Sequence, residues 1–218
     1  MIKLPDFKKS FEYENNFYLS CSSKRIGKLL AHYELFKMTK QLNGAIVECG
    51  VFKGASFSRF SMIRQLSKNM KRKIIGFDTF EKFPLANYEP DRTLRKKFTQ
   101  SAGTNSISVN QLKKVLLQKG ISKNIELVKG DITKTIPEYI EKNPKQRFSL
   151  INLDTDLYEP SIIILKNLFP KLEKNGILIL DDYGVFPGET KAVNEYFKDK
   201  KIKIQKFDFS TIHFIIKQ

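Results

Sequence analysis

Cysteine and histidine are scarce in this chain, two of each in 218 residues, and their placement closes off several chemistries. Cys21 and Cys49 stand 28 positions apart with no C-x-x-C spacing, which argues against a disulfide framework or a cysteine zinc site and favours a reducing compartment. His32 and His213 cannot make an H-E-x-x-H helix or a three-histidine metal site. No apolar run approaches the roughly 20 residues of a membrane-spanning helix. The opening MIKLPDFKKSFEYENN carries charges where a signal peptide needs an apolar core. A soluble, cytoplasmic protein with no membrane span is expected.

Acidic side chains are the minority charge, 23 against 39 Lys and Arg, for a net +16. With 41% hydrophobic and 12% aromatic residues the chain is too apolar for a disordered polycation. An excess of this size suggests an anionic partner: nucleic acid, an acidic lipid surface or a phosphorylated small molecule. The excess is uneven. Residues 150–189 hold seven acids and three bases, so the remainder carries +20. This acidic island in a basic chain is the most informative feature of the composition.

The length fits one α/β domain covering 1–218. Within it, residues 1–42 form an N-terminal helical cover and 79–106 a lid-like insertion. Ser22 or Ser23 can cap a helix whose apolar positions Ile26, Leu29, Leu30, Tyr33 and Phe36 recur at helical spacing. Asn43-Gly44 ends it. Strands are expected at Ala45–Val51, Lys73–Phe77, Ile125–Val128, Phe148–Leu153 and Gly176–Leu180. Helical patterns lie between them, from Ser56 to Lys68, from Ser108 to Leu117 and from Ser161 to Leu168. Two period-two stretches, Ile202–Phe209 and Thr211–Ile216, suggest a closing hairpin. Alternating β and α elements predict a mostly parallel sheet with helices on both faces and one antiparallel C-terminal strand. The stretch from Thr79 to Ser106 reads as a long loop, either a functional cover or a surface insertion, and holds the basic group Arg92, Arg95, Lys96 and Lys97.

AIVECGVFKGAS places Glu48, Gly50 and Gly54 at a strand-to-helix turn. It lacks both the G-x-G-x-x-G triplet and the G-K-S/T of a phosphate-binding loop. A phosphate site would not choose Glu48; a cationic ligand would. The E-x-G-x-x-x-G spacing resembles the first motif of class I S-adenosylmethionine-dependent methyltransferases, whose cofactor carries a sulfonium and an ammonium. Asp78 ends the second strand, where a carboxylate can accept both ribose hydroxyls. Asp131 follows the third, where that fold commonly contacts the adenine amino group. Either acid taken singly could be a helix cap.

Asp154 and Asp156, two apart, face the same side of an extended strand end, and Asp181 and Asp182 follow the next strand directly. Both pairs fall at the sheet edge where open parallel sheets bind ligands. Four converging carboxylates repel one another unless a cation or protons intervene. Oxygen ligands without His or Cys favour Mg²⁺. The bland alternatives are a plain Asp-Asp-Tyr-Gly turn and a cap, by Asp156 or Glu159, for the helix near Pro160.

ECGVFKGAS, IIGFDTFEKFP, LDTDLYEPS and LDDYG, in that order, resemble the TylF/MycF/NovP family of sugar O-methyltransferases over about residues 20–200. The resemblance implies a class I methyltransferase (Rossmann-like) fold, S-adenosyl-L-methionine and Mg²⁺ as cofactors, and methyl transfer to a sugar hydroxyl. It implies Asp154, Asp181 and Asp182 as metal ligands and Asp156 as general base. The cofactor contacts it implies are Glu48, Gly50, Val51, Gly54, Ser56, Asp78, Thr79, Asp131, Ile132 and Asp154. The acceptor is then a small sugar-containing molecule, namely a glycosylated natural product, a nucleotide-sugar or a surface glycan. A homo-oligomer, most simply a dimer, is expected, and no nucleic acid.

Three rival readings are weighed against this one. A nucleic-acid methyltransferase would explain the charge, but Asp154-Thr155-Asp156-Leu157 stands where amino-directed enzymes of the fold place N/D-P-P-Y/F. A metal-dependent catechol-type O-methyltransferase uses comparable acids. A non-catalytic S-adenosylmethionine-binding module would keep the fold without the chemistry. His32 and His213 read as structural, Tyr158 and Tyr183 as core or pocket lining. Lys68, Lys71, Arg72 and Lys73 read as a solvated run that could alternatively meet a nucleotide diphosphate.

Overall fold

The computed structural model describes residues 2–218. In chain order the elements are α1 (Ser10–Ser20), α2 (Ser23–Met38), β1 (Ala45–Cys49), α3 (Ala55–Leu66), β2 (Ile74–Asp78), α4 (Glu89–Ala102), α5 (Val109–Gln118), β3 (Ile125–Lys129), α6 (Ile132–Lys142), β4 (Phe148–Leu153), α7 (Tyr158–Leu168), β5 (Leu172–Leu180), α8 (Pro187–Phe197), β6 (Gln205–Lys206) and β7 (His213–Ile216). The seven strands form one sheet in the order β3-β2-β1-β4-β5-β7-β6. β1 to β5 pair in parallel; β7 runs antiparallel to β5 and to β6. The expected α/β architecture with a single antiparallel C-terminal strand is therefore present. No helix among the described residues is long and apolar enough to cross a membrane.

The central strands are apolar on both faces because helices cover both. Side-chain alternation divides each strand between two cores. Ile46, Ile74, Leu150, Ile177 and Ile179 pack with Leu35 and Phe36 of α2, Phe57 and Phe60 of α3, and Leu112 of α5. Val47, Ile75, Ile151 and Leu178 pack on the other face with Ile136 of α6, Ile164 and Leu168 of α7, and Val193 of α8. Ser108 caps α5 in a reciprocal box with Gln111, so the expected cap is made.

Several boundaries move. β1 stops at Cys49 because Gly50 turns the chain at φ +96°. β5 begins four residues earlier than the apolar run Gly176–Leu180, and the hairpin's first strand shrinks to β6. Residues 79–106 are not one long loop: they contain the 14-residue α4. Its sequence EPDRTLRKKFTQSA buries only Asp91, so the apolar periodicity that reveals other helices is nearly absent.

Arg72 departs from the solvated run expected around it. It is 7% exposed, stacks over Phe36 and donates to Thr39 Oγ1 (2.8 Å) and Ser149 Oγ. The whole run precedes β2, at the opposite end of the sheet from the strand carboxyl ends, so it cannot meet a ligand bound there. Arg64 of α3 is fully buried and donates to the carbonyls of Arg72, Ile121, Lys123 and Asn124. Arg64→Ala would strand several buried acceptors at ~1–3 kcal/mol each. A loss of about 3 kcal/mol, hence about 6–12 °C in Tm, is expected by thermal unfolding of the variant.

Candidate active site

A cavity of about 980 Å³ opens at the carboxyl ends of β1, β2, β4 and β5, where a doubly wound sheet places its ligand crevice. The 79–106 insertion forms one wall, contributing Phe83, Pro84, Leu85, Asn87 and Phe98. Its base is tied by a Lys82–Asn105 bridge and by Ser106 N–H donating to Glu81 O (2.7 Å). Arg92 and Arg95 donate to carbonyls of the insertion itself, at Asn87 (3.2 Å) and Phe83 (3.2 Å), so these bases brace the insertion from within.

Asp91 fastens α4 to the domain. It is fully buried, and its carboxylate accepts from Tyr158 N–H at the start of α7 (3.1 Å) and from Gly188 N–H at the start of α8 (2.7 Å). One carboxylate thus serves two helix N-termini, whose orphan N–H groups and dipoles both favour a negative charge. A Cβ on Gly188 would stand 2.0 Å from Asp91 Oδ2, which explains the glycine. The cap for α7 comes from Asp91, not from Asp156 or Glu159; Glu159 accepts instead from Tyr88 N–H (2.9 Å). Asp91→Ala is expected to free the insertion, raising KM at least about tenfold and opening 79–106 to limited proteolysis; this rests on the loss of two charge-assisted bonds.

Eight of the ten residues expected at the cofactor line the cavity: Gly50, Val51, Ser56, Asp78, Thr79, Asp131, Ile132 and Asp154. Glu48 and Gly54 do not. Gly50 brings β1 against β4 so closely that a Cβ would stand 1.7 Å from Asp154 O. Gly54 adopts φ +83° as the N-cap of α3 and packs on Leu112. Glu48 lies beneath the floor, fully buried, accepting from Ser56 Oγ (2.6 Å) while its Oε2 has no protein partner. Burial pushes its carboxyl up to about 8, against the Ser56 hydrogen bond. Asp78 accepts from Phe52 N–H (2.9 Å) and Phe80 N–H (2.6 Å), which aims it at the cavity and leaves lone pairs for a ligand. Asp131 caps α6 through Thr133 N–H (2.9 Å) while also lining the cavity.

The four motif acids converge but do not act alike. One carboxylate oxygen from each of Asp154, Asp156 and Asp182 falls within 4.8 Å of the others. Asp156 is held at φ +61°, the left-handed region that aspartate and asparagine enter more readily than other non-glycine residues. Burial pushes its carboxyl up to about 8, helped by Asp154 and Glu189 and opposed by a hydrogen bond with Asp182. Asp154 and Asp182 are also raised, first by burial and then by neighbouring carboxylates. Asp181 differs: burial would raise it, but Lys28 and His32 outweigh that and hold it down to about 2. Its Oδ2 pairs with Lys28 Nζ, which lies 3.8 Å from Asp154 Oδ2.

Lys28, Arg59 and Glu189 have no place among the residues singled out from sequence, and His32, read there as structural, stands beside the acids. Lys28 and His32, four apart on α2, share the face that covers the acids. His32 is buried, and Arg59 Nη1 lies 3.1 Å from its Nδ1. A guanidinium only donates, so Nδ1 accepts and the ring proton sits on Nε2, 3.6 Å from Asp181 Oδ1. Burial keeps this imidazole neutral. Glu189, at the start of α8 and fully buried, accepts from Asp182 N–H (3.0 Å). Tyr158 lines the cavity; Tyr183 does not, and packs edge-on against His213.

Three clustered carboxylates, together with buried and unpaired Asp181 Oδ1 and Glu189 Oε2, form a hard-oxygen set that fits a divalent cation. Orphaned Glu48 Oε2 and the Gly50 turn fit a cationic ligand lying against β1.

Comparison with known proteins bears on the fold and the family. Over 146 residues, 65% of this chain, the sequence is 27% identical to the 8-demethyl-8-(2,3-dimethoxy-alpha-L-rhamnosyl)-tetracenomycin-C 4'-O-methyltransferase of Streptomyces olivaceus, covering 54% of that protein. It is 26% identical to the demethyldecarbamoylnovobiocin O-methyltransferase of Streptomyces niveus over 159 residues, 70% of this chain and 58% of that one. The matched segments thus span little more than half the length of these relatives. The crystal structure of CalS11, a calicheamicin methyltransferase, superposes with a TM-score of 0.76 at 26% identity, over 95% of this chain and 85% of that one. The family model described as macrocin-O-methyltransferase (TylF) matches residues 18–215, so the fold is that of class I methyltransferases and the chain belongs to the TylF family.

Proposed function

We propose that this protein transfers a methyl group from S-adenosylmethionine to a sugar hydroxyl of a small glycosylated acceptor, with Mg²⁺ at the acid cluster. The observation that carries this reading is the Asp154, Asp156 and Asp182 trio at one end of a cavity whose other end holds Asp78 and Asp131. When bound, S-adenosylmethionine supplies a methyl group activated by a sulfonium, and Mg²⁺ a Lewis acid that makes a nearby hydroxyl more acidic. Asp154 and Asp182 would hold the ion. Asp181, in the expected ligand set, reaches it only by exchanging its Lys28 partner. Asp156 receives the hydroxyl proton and is oriented for this by its positive φ and by Asp182. Asp78 receives the ribose hydroxyls. Tyr158 walls the acceptor end, with the Tyr88 ring packed behind it at 5.5 Å between centroids and Lys191 4.8 Å from the Tyr158 centroid.

The cavity wall carries seven acids and four bases, the reverse of the chain's balance. A polyanion would be repelled from it, which supports a small, uncharged sugar rather than nucleic acid as acceptor. A cytoplasmic homo-oligomer remains part of the proposal; the exposed Phe11, Tyr18 and Leu19 of α1 support the association. The test is methyl transfer to parallel panels of deoxyhexosides and catechols. Transfer to the sugars is expected. Transfer to catechols alone would favour the catechol-type reading, and a thermal shift with S-adenosylhomocysteine without any turnover would favour a binding module.

A further inference from the structure

The charge of this chain is divided between the two ends of its sheet. Helices run back against the parallel strands, so the segments that follow them, 39–44, 67–73, 119–124, 143–147, 169–171 and 198–204, lie at the amino edge, joined by 217–218 after β7. Together they hold fifteen bases and one acid, Asp199, which is +14 of the chain's +16. The connections at the opposite edge, where the cavity opens (50–54, 79–88, 103–108, 130–131, 154–157, 181–186 and 207–212), hold seven acids and two bases. Like charges crowded on one edge repel and cost stability unless an anionic partner offsets them.

The basic edge is held in shape from beneath. Arg64 draws the carbonyls of Arg72, Ile121, Lys123 and Asn124 inward, Asn124 Nδ2 donates to Met70 O (2.8 Å), and Arg72 reaches Thr39. Three lysine-bearing segments are thereby fixed to one another. Their side chains Lys40, Lys68, Lys71, Lys119 and Lys123 are exposed and have no carboxylate partner among the described residues. Large apolar side chains stand beside them: Met38, Leu66 and Leu117, in the last turns of α2, α3 and α5, are 47%, 79% and 71% exposed.

The composition of this edge selects its partner. Its two arginines are engaged, Arg72 with Ser149 and Arg147 with Glu173 (3.0 Å), so neither presents its fork to an outside phosphate. Phe169, which is buried, is the only aromatic residue in these segments, so nucleobases would find no ring to stack on. What remains is lysine charge spread along a seven-strand edge about 30 Å wide, with leucine and methionine beside it. That pattern suits a plane of diffuse negative charge over an apolar interior. We propose that the amino edge docks on an anionic phospholipid membrane, its lysines among the headgroups and Leu66 and Leu117 dipping beneath them. The cavity then faces away from the lipid, about 20 Å off, open to acceptors arriving from water.

The experiment is flotation of the protein with phosphatidylcholine vesicles, with and without about 30% phosphatidylglycerol, and with an RNA duplex as the competing polyanion. At about 0.1 M salt, retention at least about tenfold stronger on the anionic vesicles is expected, and about 0.5 M salt should abolish it. At about fivefold per lysine, Lys68→Gln with Lys71→Gln, and separately Lys119→Gln with Lys123→Gln, should each weaken retention by about 10- to 30-fold. Lys96→Gln with Lys97→Gln, the same loss of charge on α4 at the cavity end, should stay within about twofold. Leu66→Ser with Leu117→Ser should weaken retention several-fold. Equal retention on both kinds of vesicle, none on either, or an equal loss in the α4 variant overturns the proposal. So does binding to the RNA duplex by protein that no vesicle retains.

Discussion

Asp156→Asn is expected to lower kcat by about 10²- to 10⁴-fold, the usual contribution of a positioned general base, while S-adenosylhomocysteine affinity stays within about twofold. Asparagine keeps the shape of the side chain and its hydrogen bond toward Asp182 but cannot take a proton. The geometry makes the choice of residue specific. Asp154 sits against β1 with its carbonyl oxygen in the Gly50 turn, and Asp181 is neutralised by Lys28. Asp156 alone combines a cavity position, a left-handed backbone and a carboxyl pushed up to about 8. A kcat within about threefold of the unaltered enzyme would remove Asp156 from the reaction.

The second large effect concerns stability. Protein freed of divalent ions is expected to lose up to about 5 kcal/mol between pH 6 and pH 8, roughly 10 °C or more in Tm. Burial lifts both Glu48 and Asp156 to about 8 in the folded chain, whereas the unfolded chain releases those protons near pH 4. Between these values the folded state binds more protons, so stability falls as pH rises and the loss is complete only above about pH 8. Asp181 acts oppositely. Held down to about 2, it contributes stability above its unfolded value that is lost as pH falls through its folded one, outside this window. Added Mg²⁺ should reduce the pH 6–8 slope by replacing the protons of the acid cluster with a cation, leaving the Glu48 part. A Tm independent of pH in chelator would contradict the buried-acid account.

Much of the fold is legible in the sequence because strands buried on both faces must be apolar throughout, as AIVEC and FSLINL nearly are. The helix α4 is not, since its one buried side chain is a carboxylate. The acids of the site are legible because each ends a strand at the sheet edge. Their partners are not, because pairing depends on tertiary approach: Lys28 meets Asp181 across 153 positions, and Asp91 meets Gly188 across 97. Arg72 shows the same limit from the other side, a base in a charged run that the fold buries against Ser149. The net charge of +16 describes the exterior; the proposed chemistry lies where the local balance is reversed.

The central claim is methyl transfer to a sugar hydroxyl by a divalent ion and Asp156 acting together. Its most direct test is single-turnover transfer of an isotope-labelled methyl group from S-adenosylmethionine to a deoxyhexoside acceptor, with Mg²⁺ and with EDTA, in the unaltered and Asp156→Asn proteins. Label on a sugar oxygen is expected from the unaltered protein with Mg²⁺, and at least about a 10²-fold slower rate in the other three combinations. Equal rates in all four would contradict the account.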